Sequence, residues 1–331
     1  MTASSRIAVD VMGGDLGPHT VFSACEKALQ DFPFLEISAF GTAQAAASIP
    51  LTLQNNTRFD WLQAPEMFSA ELKPTEILRH KESSLWLAVA HLAADKADAC
   101  VSGGSTGALM VAGKRLLGMV PGIDRPAICQ RWPTRKGQTH MLDLGANLEV
   151  SPEFLLQFAQ MGSVLSKVAR PKVALLNIGT ESNKGGSLLA QAATLIGQDE
   201  ALAFAGFIEA NHLLDGDVDI VVTDGFSGNV ALKASEGAAI FLIEQLKAAF
   251  LGSWYGKLVG QLAKPVLLKW RTQFDPGRYN GASFLGLSKP LIKSHGSADA
   301  QAFYNAIRVA LEQTEHRLPA LLAARFKASA E

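Results

Sequence analysis

Short apolar, β-branched runs repeatedly end in a glycine-rich turn, and each turn opens a stretch with helical spacing. That grammar allows few folds other than an α/β sheet. It is clearest where residues 7–11 run into MGGDLGP, 97–101 into SGGSTG, 173–176 into NIGTESNKGG and 218–223 into DGFSGN. A further loop, DLGAN at 143–147, follows His140 and Met141 and precedes a helical stretch at 152–168. Each turn is expected at the carboxyl end of a strand. Ligands of open α/β sheets bind beyond those ends, where the free N–H groups of helix N-termini attract anions. Several such loops predict one anion site at one edge of the sheet.

Over 331 residues there is no internal repeat, low-complexity tract or Pro/Ser linker, so a single α/β domain spanning 1–331 is expected. A hydrophobic share of 48% supports a sizeable core, and no apolar run is long enough to cross a bilayer as a helix. The first residues lack the apolar core and cleavage site of a signal peptide, and cytoplasmic residence follows as the expectation. A net charge of −1 argues against a general nucleic-acid binder. One local patch departs from that balance. The segment 240–274, expected as an appended helical element, carries Lys247, Lys257, Lys264, Lys269 and Arg271 among aromatic and aliphatic side chains, with no acid between Glu244 and Asp275. Such a composition suits a membrane interface or an acidic partner, and equally a helical hairpin packed on protein.

Cys25, Cys100 and Cys129 are isolated in apolar or glycine-rich surroundings and read as buried thiols. No HxxxH or HExxH spacing points to a metal, and neither a Walker A pattern nor a GxGxxG fingerprint points to a nucleotide. Gly103–Gly107 does satisfy GxSxG, with Asp224 and His295 following in the order of a serine hydrolase triad. Ser105 and Thr106 suit helix N-capping as well. Lys184 and Glu181 fit an exposed turn, Asn229 a first helical turn, and His295 a structural hydrogen bond or a catalytic one. Taken singly, these loops leave function open.

Taken in series, they resemble the PlsX-type phosphate acyltransferases along nearly the whole chain. The matching stretches are AVDVMGGDLGP (8–18), RHKESS (79–84), DLGAN (143–147), QFAQMGSV (157–164), LLNIGTESNKG (175–185), DGFSGNV (224–230), KASEG (233–237) and IKSHGS (292–297). Where the family usually has Ala-Gly-Asn-Thr-Gly, this chain has Gly103-Gly104-Ser105-Thr106-Gly107. The resemblance implies a homodimeric, three-layer α/β/α Rossmann-like enzyme of the isocitrate/isopropylmalate dehydrogenase-like type, related in architecture to phosphotransacetylases. It implies no cofactor and no metal. It also implies a projecting helical hairpin, at 240–274, associated with peripheral membrane contact.

The activity so implied moves a fatty acyl group from acyl carrier protein to inorganic phosphate, giving acyl phosphate for phosphatidic acid synthesis. Phosphate near neutral pH attacks a thioester without a strong base, which leaves the protein orientation and charge stabilisation. Lys184 is expected to supply positive charge, Asn229 to donate to the thioester oxyanion, and His295 to assist it or to protonate the leaving thiol. Asp10, Gly13, Gly14, Asp15, Ser105, Thr106, Asn147, Thr180, Glu181, Asp224, Ser227 and Lys293 complete the expected phosphate surroundings, the acids in supporting roles. A serine hydrolase and a non-catalytic acyl-carrier binding module remain the alternatives.

Overall fold

A computed structural model describes residues 4–166, 168–181, 184–274 and 276–328. The strands are β1 (Ser5–Asp10), β2 (Leu35–Gly41), β3 (Phe59–Gln63), β4 (Ala99–Ser102), β5 (Ala127–Thr134), β6 (Gly137–Leu142), β7 (Lys172–Leu176), β8 (Ala203–Ile208), β9 (Ile220–Val222), β10 (Ala282–Leu285) and β11 (Leu291–Lys293). Among the described residues they form one sheet in the order β3-β2-β1-β4-β11-β10-β5-β6-β9-β7-β8. The helices are α1 (Pro18–Asp31), the short α2 (Ala43–Ala46) and α3 (Leu51–Gln54), α4 (Ser84–Ala93), α5 (Thr106–Leu116), α6 (Pro152–Leu165), α7 (Gly186–Gln198), α8 (Gly225–Leu251), α9 (Trp254–Phe274), α10 (Ala300–Glu315) and α11 (Leu318–Ala328).

Alternate residues of a buried strand serve opposite faces of a sheet, and both faces here are apolar. Ala8, Cys100 and Leu291 pack on one face with side chains of α4 and α5. Their neighbours Ile7, Val9, Val101 and Ile292 pack on the other with α1 and α10. In the second half of the sheet, Val173, Leu175, Ile220 and Val222 pack on that same rear face with α6, α7 and α11. The result is the expected α/β/α layering, with the thiols of Cys25, Cys100 and Cys129 free and buried.

One expectation needs correction. β1 to β4 and β11 are mutually parallel, and so are β6 to β9. Between the two groups, however, β10 runs antiparallel to β11 and β5, and β5 antiparallel to β6. The groups therefore point in opposite directions, and their glycine-rich loops leave opposite ends of the sheet, not one edge. Apolar alternation specifies a strand and its faces but carries no sign for its direction.

A helix bridges the two ends. α8 opens at the carboxyl end of β9, where Asp224 caps it by accepting from the Ser227 N–H at 2.8 Å. Gly228 packs so closely on the DLGAN loop that a Cβ there would collide with the Asp143 carbonyl oxygen. The loop itself is tied to the Asp143 carboxylate, which accepts from the N–H groups of Ile128, Ala146 and Asn147 at 2.8, 3.1 and 2.7 Å. Held at this end, α8 runs unbroken through residue 240 to Leu251, so the expected start of the appended segment falls inside a helix. α9 then folds back against α8. The side chains of Lys269 and Arg271, named for the basic patch, lie outside the described ones.

Candidate active site

β1, β4 and β11 end side by side on Asp10, Ser102 and Lys293, which are register neighbours. Strand alternation turns all three to the α4–α5 face. Asp10 is buried, its Oδ1 accepting from the Ser84 hydroxyl and its Oδ2 from the Ser102 hydroxyl, both at 2.7 Å. Burial pushes this carboxyl above the usual range, against the opposing pull of Ser102, Ser84, the Met12 N–H and the charge of Lys293. The Ser102 hydroxyl also accepts from the Gly104 N–H at 3.0 Å. Gly13 is needed where the two loops touch, since a Cβ would collide with the Gly104 nitrogen.

Lys293 is the cation of this corner. Its Nζ donates to the Gly103 carbonyl at 3.0 Å and to the Ser294 carbonyl, and an ammonium has three N–H donors, so one remains. Burial pulls its pKa down to about 8, with Asp15 and Asp10 opposing and Lys233 assisting. Beside it, Ser105 caps α5 by accepting from the Ala108 N–H at 3.4 Å, and Thr106 is the first residue of that helix. The loop after β11 is held by Asn280, whose Oδ1 accepts from the His295 N–H and whose Nδ2 donates to Ser294 Oγ and the Ala302 carbonyl, all at 2.8 Å. Asp15 is exposed, and its N–H donates to the Gly296 carbonyl at 2.8 Å while Gly14 approaches the same oxygen.

These parts wall a cleft of about 470 Å³, within the usual range for ligand sites. Thr106, Lys293 and His295 line one side of it, and Asn229, Lys233, Glu236 and Ile240 of α8 line the other. Those four positions share one helical face. The Asn229 carboxamide makes no hydrogen bond among the described residues, which leaves both its donors and its acceptor free for a ligand. The His295 ring bonds through Nδ1 to Ser297 Oγ at 2.8 Å and lies with Nε2 3.8 Å from Glu236 Oε2.

The structure thus gathers part of the expected constellation. Thr106, Asn229, His295 and Lys293 meet at the cleft, with Asp10, Gly13, Gly14, Asp15 and Ser105 building the wall behind them. Asn147 is instead buried in the scaffold, its Nδ2 taken up by the Pro126 carbonyl at 2.8 Å and Asp143 at 2.9 Å. Asp224 and Ser227 serve as the cap of α8. Thr180 lines a separate cavity with Lys172 and His212. Lys184 is not among the residues lining the cleft, and its Nζ lies 3.2 Å from Glu181 Oε1 in an exposed turn after β7. Lys233, Glu236 and Asn280 are among the cleft residues that escaped sequence reasoning. Lys233 and Glu236 stand four and seven positions after Asn229, a helical spacing that was there to be read. Nothing local marked Asn280, which acts only through contacts made in the fold.

No serine hydrolase relay is assembled among these residues. Ser105 caps α5, Asp224 caps α8 at the far end of the sheet, and the His295 ring faces Ser297 and Glu236.

This α/β/α sheet has the fold seen in phosphotransacylases. The fold is similar to a phosphotransacetylase from Streptococcus pyogenes, with a TM-score of 0.61, 16% identity and 94% of each chain covered. It is also similar to a branched-chain phosphotransacylase from Enterococcus faecalis, with a TM-score of 0.57, 15% identity and coverage of 93% of this chain and 99% of that one. The family described as fatty acid synthesis protein matches residues 5–320. The chain is 47% identical over 323 residues to a phosphate acyltransferase of Cellvibrio japonicus, covering 96% of this chain and 97% of that protein. It is 43% identical over 332 residues to one of Saccharophagus degradans, covering 99% and 97%. This chain belongs to the PlsX-type phosphate acyltransferase family and is a transferase.

Proposed function

We propose that this protein transfers a fatty acyl group from the thioester of acyl carrier protein to inorganic phosphate, producing acyl phosphate for phospholipid synthesis. The observation that carries this reading is the face-to-face placement, across one cleft, of a cationic anion corner and an unpartnered amide: Lys293 with the α5 N-terminus on one side, Asn229 on the other. Phosphate oxygens accept from the free N–H groups of α5, the Thr106 hydroxyl and the remaining N–H of Lys293. The thioester carbonyl oxygen accepts from Asn229 Nδ2. A phosphate oxygen then adds to the carbonyl carbon, and charge collects on the carbonyl oxygen, which the Asn229 amide stabilises by donating to it. Collapse breaks the C–S bond, and the electron pair leaves on sulfur, which takes a proton from His295 that the hydroxyl of the attacking hydrogen phosphate restores.

Loss of acyl-carrier thioester that requires phosphate is the expected result with the purified protein. Phosphate-independent hydrolysis with labelling of Ser105 would overturn this reading in favour of a hydrolase, and binding without turnover would reduce the protein to a carrier module. The pH profile gives a second test. Lys293 binds phosphate in its charged form, and its pKa is pulled down to about 8, so charge is lost as pH rises through that value. The kcat/KM for phosphate, which reports the free enzyme, is therefore expected to fall towards tenfold per pH unit above about 8.

Membrane contact at α9 belongs to the same proposal. Among the described residues no helix is long and apolar enough to cross a membrane. The outer face of α9 nevertheless bares Trp254, Leu258, Leu262 and Val266, the last two 77% and 71% exposed. Insertion of that face gives an apolar contribution that salt does not screen, while nearby lysines add about 1 kcal/mol each at an anionic surface. Replacing Leu258 and Leu262 by Glu is expected to abolish sedimentation with anionic liposomes while largely preserving turnover in solution. Unfolding or loss of self-association in that variant would assign the face to protein packing.

A further inference from the structure

We infer that the hollow between α8 and α9 is the receptacle for the distal part of a long acyl chain, so that the hairpin reads chain length; this rests on the proposed acyl transfer to phosphate. The face of α8 that lines the cleft does not end there. Asn229, Leu232, Glu236 and Ile240 line the cleft, and Ile243 and Phe250 continue the same helical face into a second cavity of about 590 Å³. α9 flanks that cavity on the opposite side, where Gly260 admits the Phe250 ring and Leu267 and Leu268 supply apolar lining between Lys257, Gln261 and Lys264. The two cavities thus lie in series along one helix. The apolar share of the lining rises along the path: Asn229, Lys233 and Glu236 mark the cleft end, and Ile240, Ile243, Leu246 and Phe250 the hairpin end, where Lys247 stands among them. That is the polarity of an acyl thioester, reactive at its head and hydrocarbon thereafter.

Helix dimensions set the reach. At about 1.5 Å per residue, Ile240 lies about 16 Å and Ile243 about 21 Å along α8 from Asn229. An extended hydrocarbon built of bonds of about 1.5 Å at tetrahedral angles advances about 1.3 Å per carbon. With its carbonyl at Asn229, a chain of roughly twelve carbons ends at Ile240, still in the cleft, whereas one of about sixteen reaches Ile243 and the hairpin cavity. The outward face of α9, with Trp254, Leu258, Leu262 and Val266, is a different surface from the inward face that flanks this cavity. Contact with a bilayer and accommodation of a chain therefore use separate side chains.

The test replaces Leu246 and Leu268 together by Gln in the full-length protein. Both are at least a third exposed, so the exchange removes apolar lining without opening the core. Each methylene withdrawn from water is worth about fourfold in affinity. The kcat/KM for a sixteen-carbon acyl-carrier thioester is expected to fall at least tenfold, that for an eight-carbon donor to stay within about twofold, and the KM for phosphate to remain unchanged. A fluorescent sixteen-carbon fatty acid should bind the wild type and lose at least tenfold in affinity for the variant, a readout that stands even if no turnover with phosphate is found. Equal losses for both chain lengths, an unchanged profile, or unaltered probe binding would overturn the inference. So would a variant whose only change is oligomeric state, since the hollow would then be occupied by a second copy.

Discussion

Replacing Lys293 by Met is expected to raise the KM for phosphate by about ten- to a hundredfold, the worth of one hydrogen bond to a charged group, while the KM for the acyl thioester changes little. The reason is local. Two of the three ammonium donors are already taken up by the Gly103 and Ser294 carbonyls, which leaves the third donor and the full charge to the cleft that Lys293 and Thr106 line. The Met stem preserves the packing of the side chain, but the buried Asp10 loses its nearest opposing charge, so a lowered melting temperature is expected as well. Steady-state kinetics with phosphate varied at saturating thioester, alongside a melting curve, measure both effects. Lys184→Ala is the informative comparison. Its ammonium is paired with Glu181 in an exposed turn, and a smaller loss than for Lys293 is expected. An equal or larger loss would move the phosphate charge from the Lys293 corner to that turn and would overturn the assignment.

Asn229→Ala is expected to lower kcat about a hundred- to a thousandfold, the range found when one donor to a developing oxyanion is removed. Both KM values should stay close to wild type, because the interaction strengthens only as charge builds on the carbonyl oxygen. The fold should not suffer. The carboxamide makes no hydrogen bond among the described residues, and it is Gly228 and Asp224, not Asn229, that lock the start of α8. Asn229→Asp should lose at least as much, since a carboxylate near the oxyanion repels the charge that the amide attracts. Near-normal kcat in a folded Asn229→Ala protein would remove the oxyanion role from this residue.

How far these roles could be read in the sequence differs from residue to residue. The glycine-rich turns marked the strand ends correctly, because a chain leaving a strand for a helix needs glycine wherever backbones touch, as at Gly13. Capping was legible at Ser105, which stands immediately before α5 and accepts from an N–H three positions on; Asp224 and Asp299 cap α8 and α10 in the same way but were not read as caps. Asn147 and Lys293 show the limit. Both are polar residues in or beside glycine-rich loops, and both were expected to hold phosphate. One turned out to be buried with its amide donors engaged by Pro126 and Asp143, and the other lines the cleft. A side chain's type says what it can bond to, but not whether a neighbouring carbonyl has already taken the donor.

From the residues alone came the α/β class, the positions of the turns, the cap at Ser105 and, through a long series of matching motifs, the family; all of these depend on contacts within a few residues or on patterns that survive as linear order. Only the tertiary structure decided that the strand directions reverse across β10, that the loops therefore leave opposite ends of the sheet, and that α8 carries Asn229, Lys233 and Glu236 to face Lys293. Strand alternation is the same in either direction along the chain, so direction and register are set by which strands pair, and pairing is fixed by the burial of both faces of the whole sheet at once.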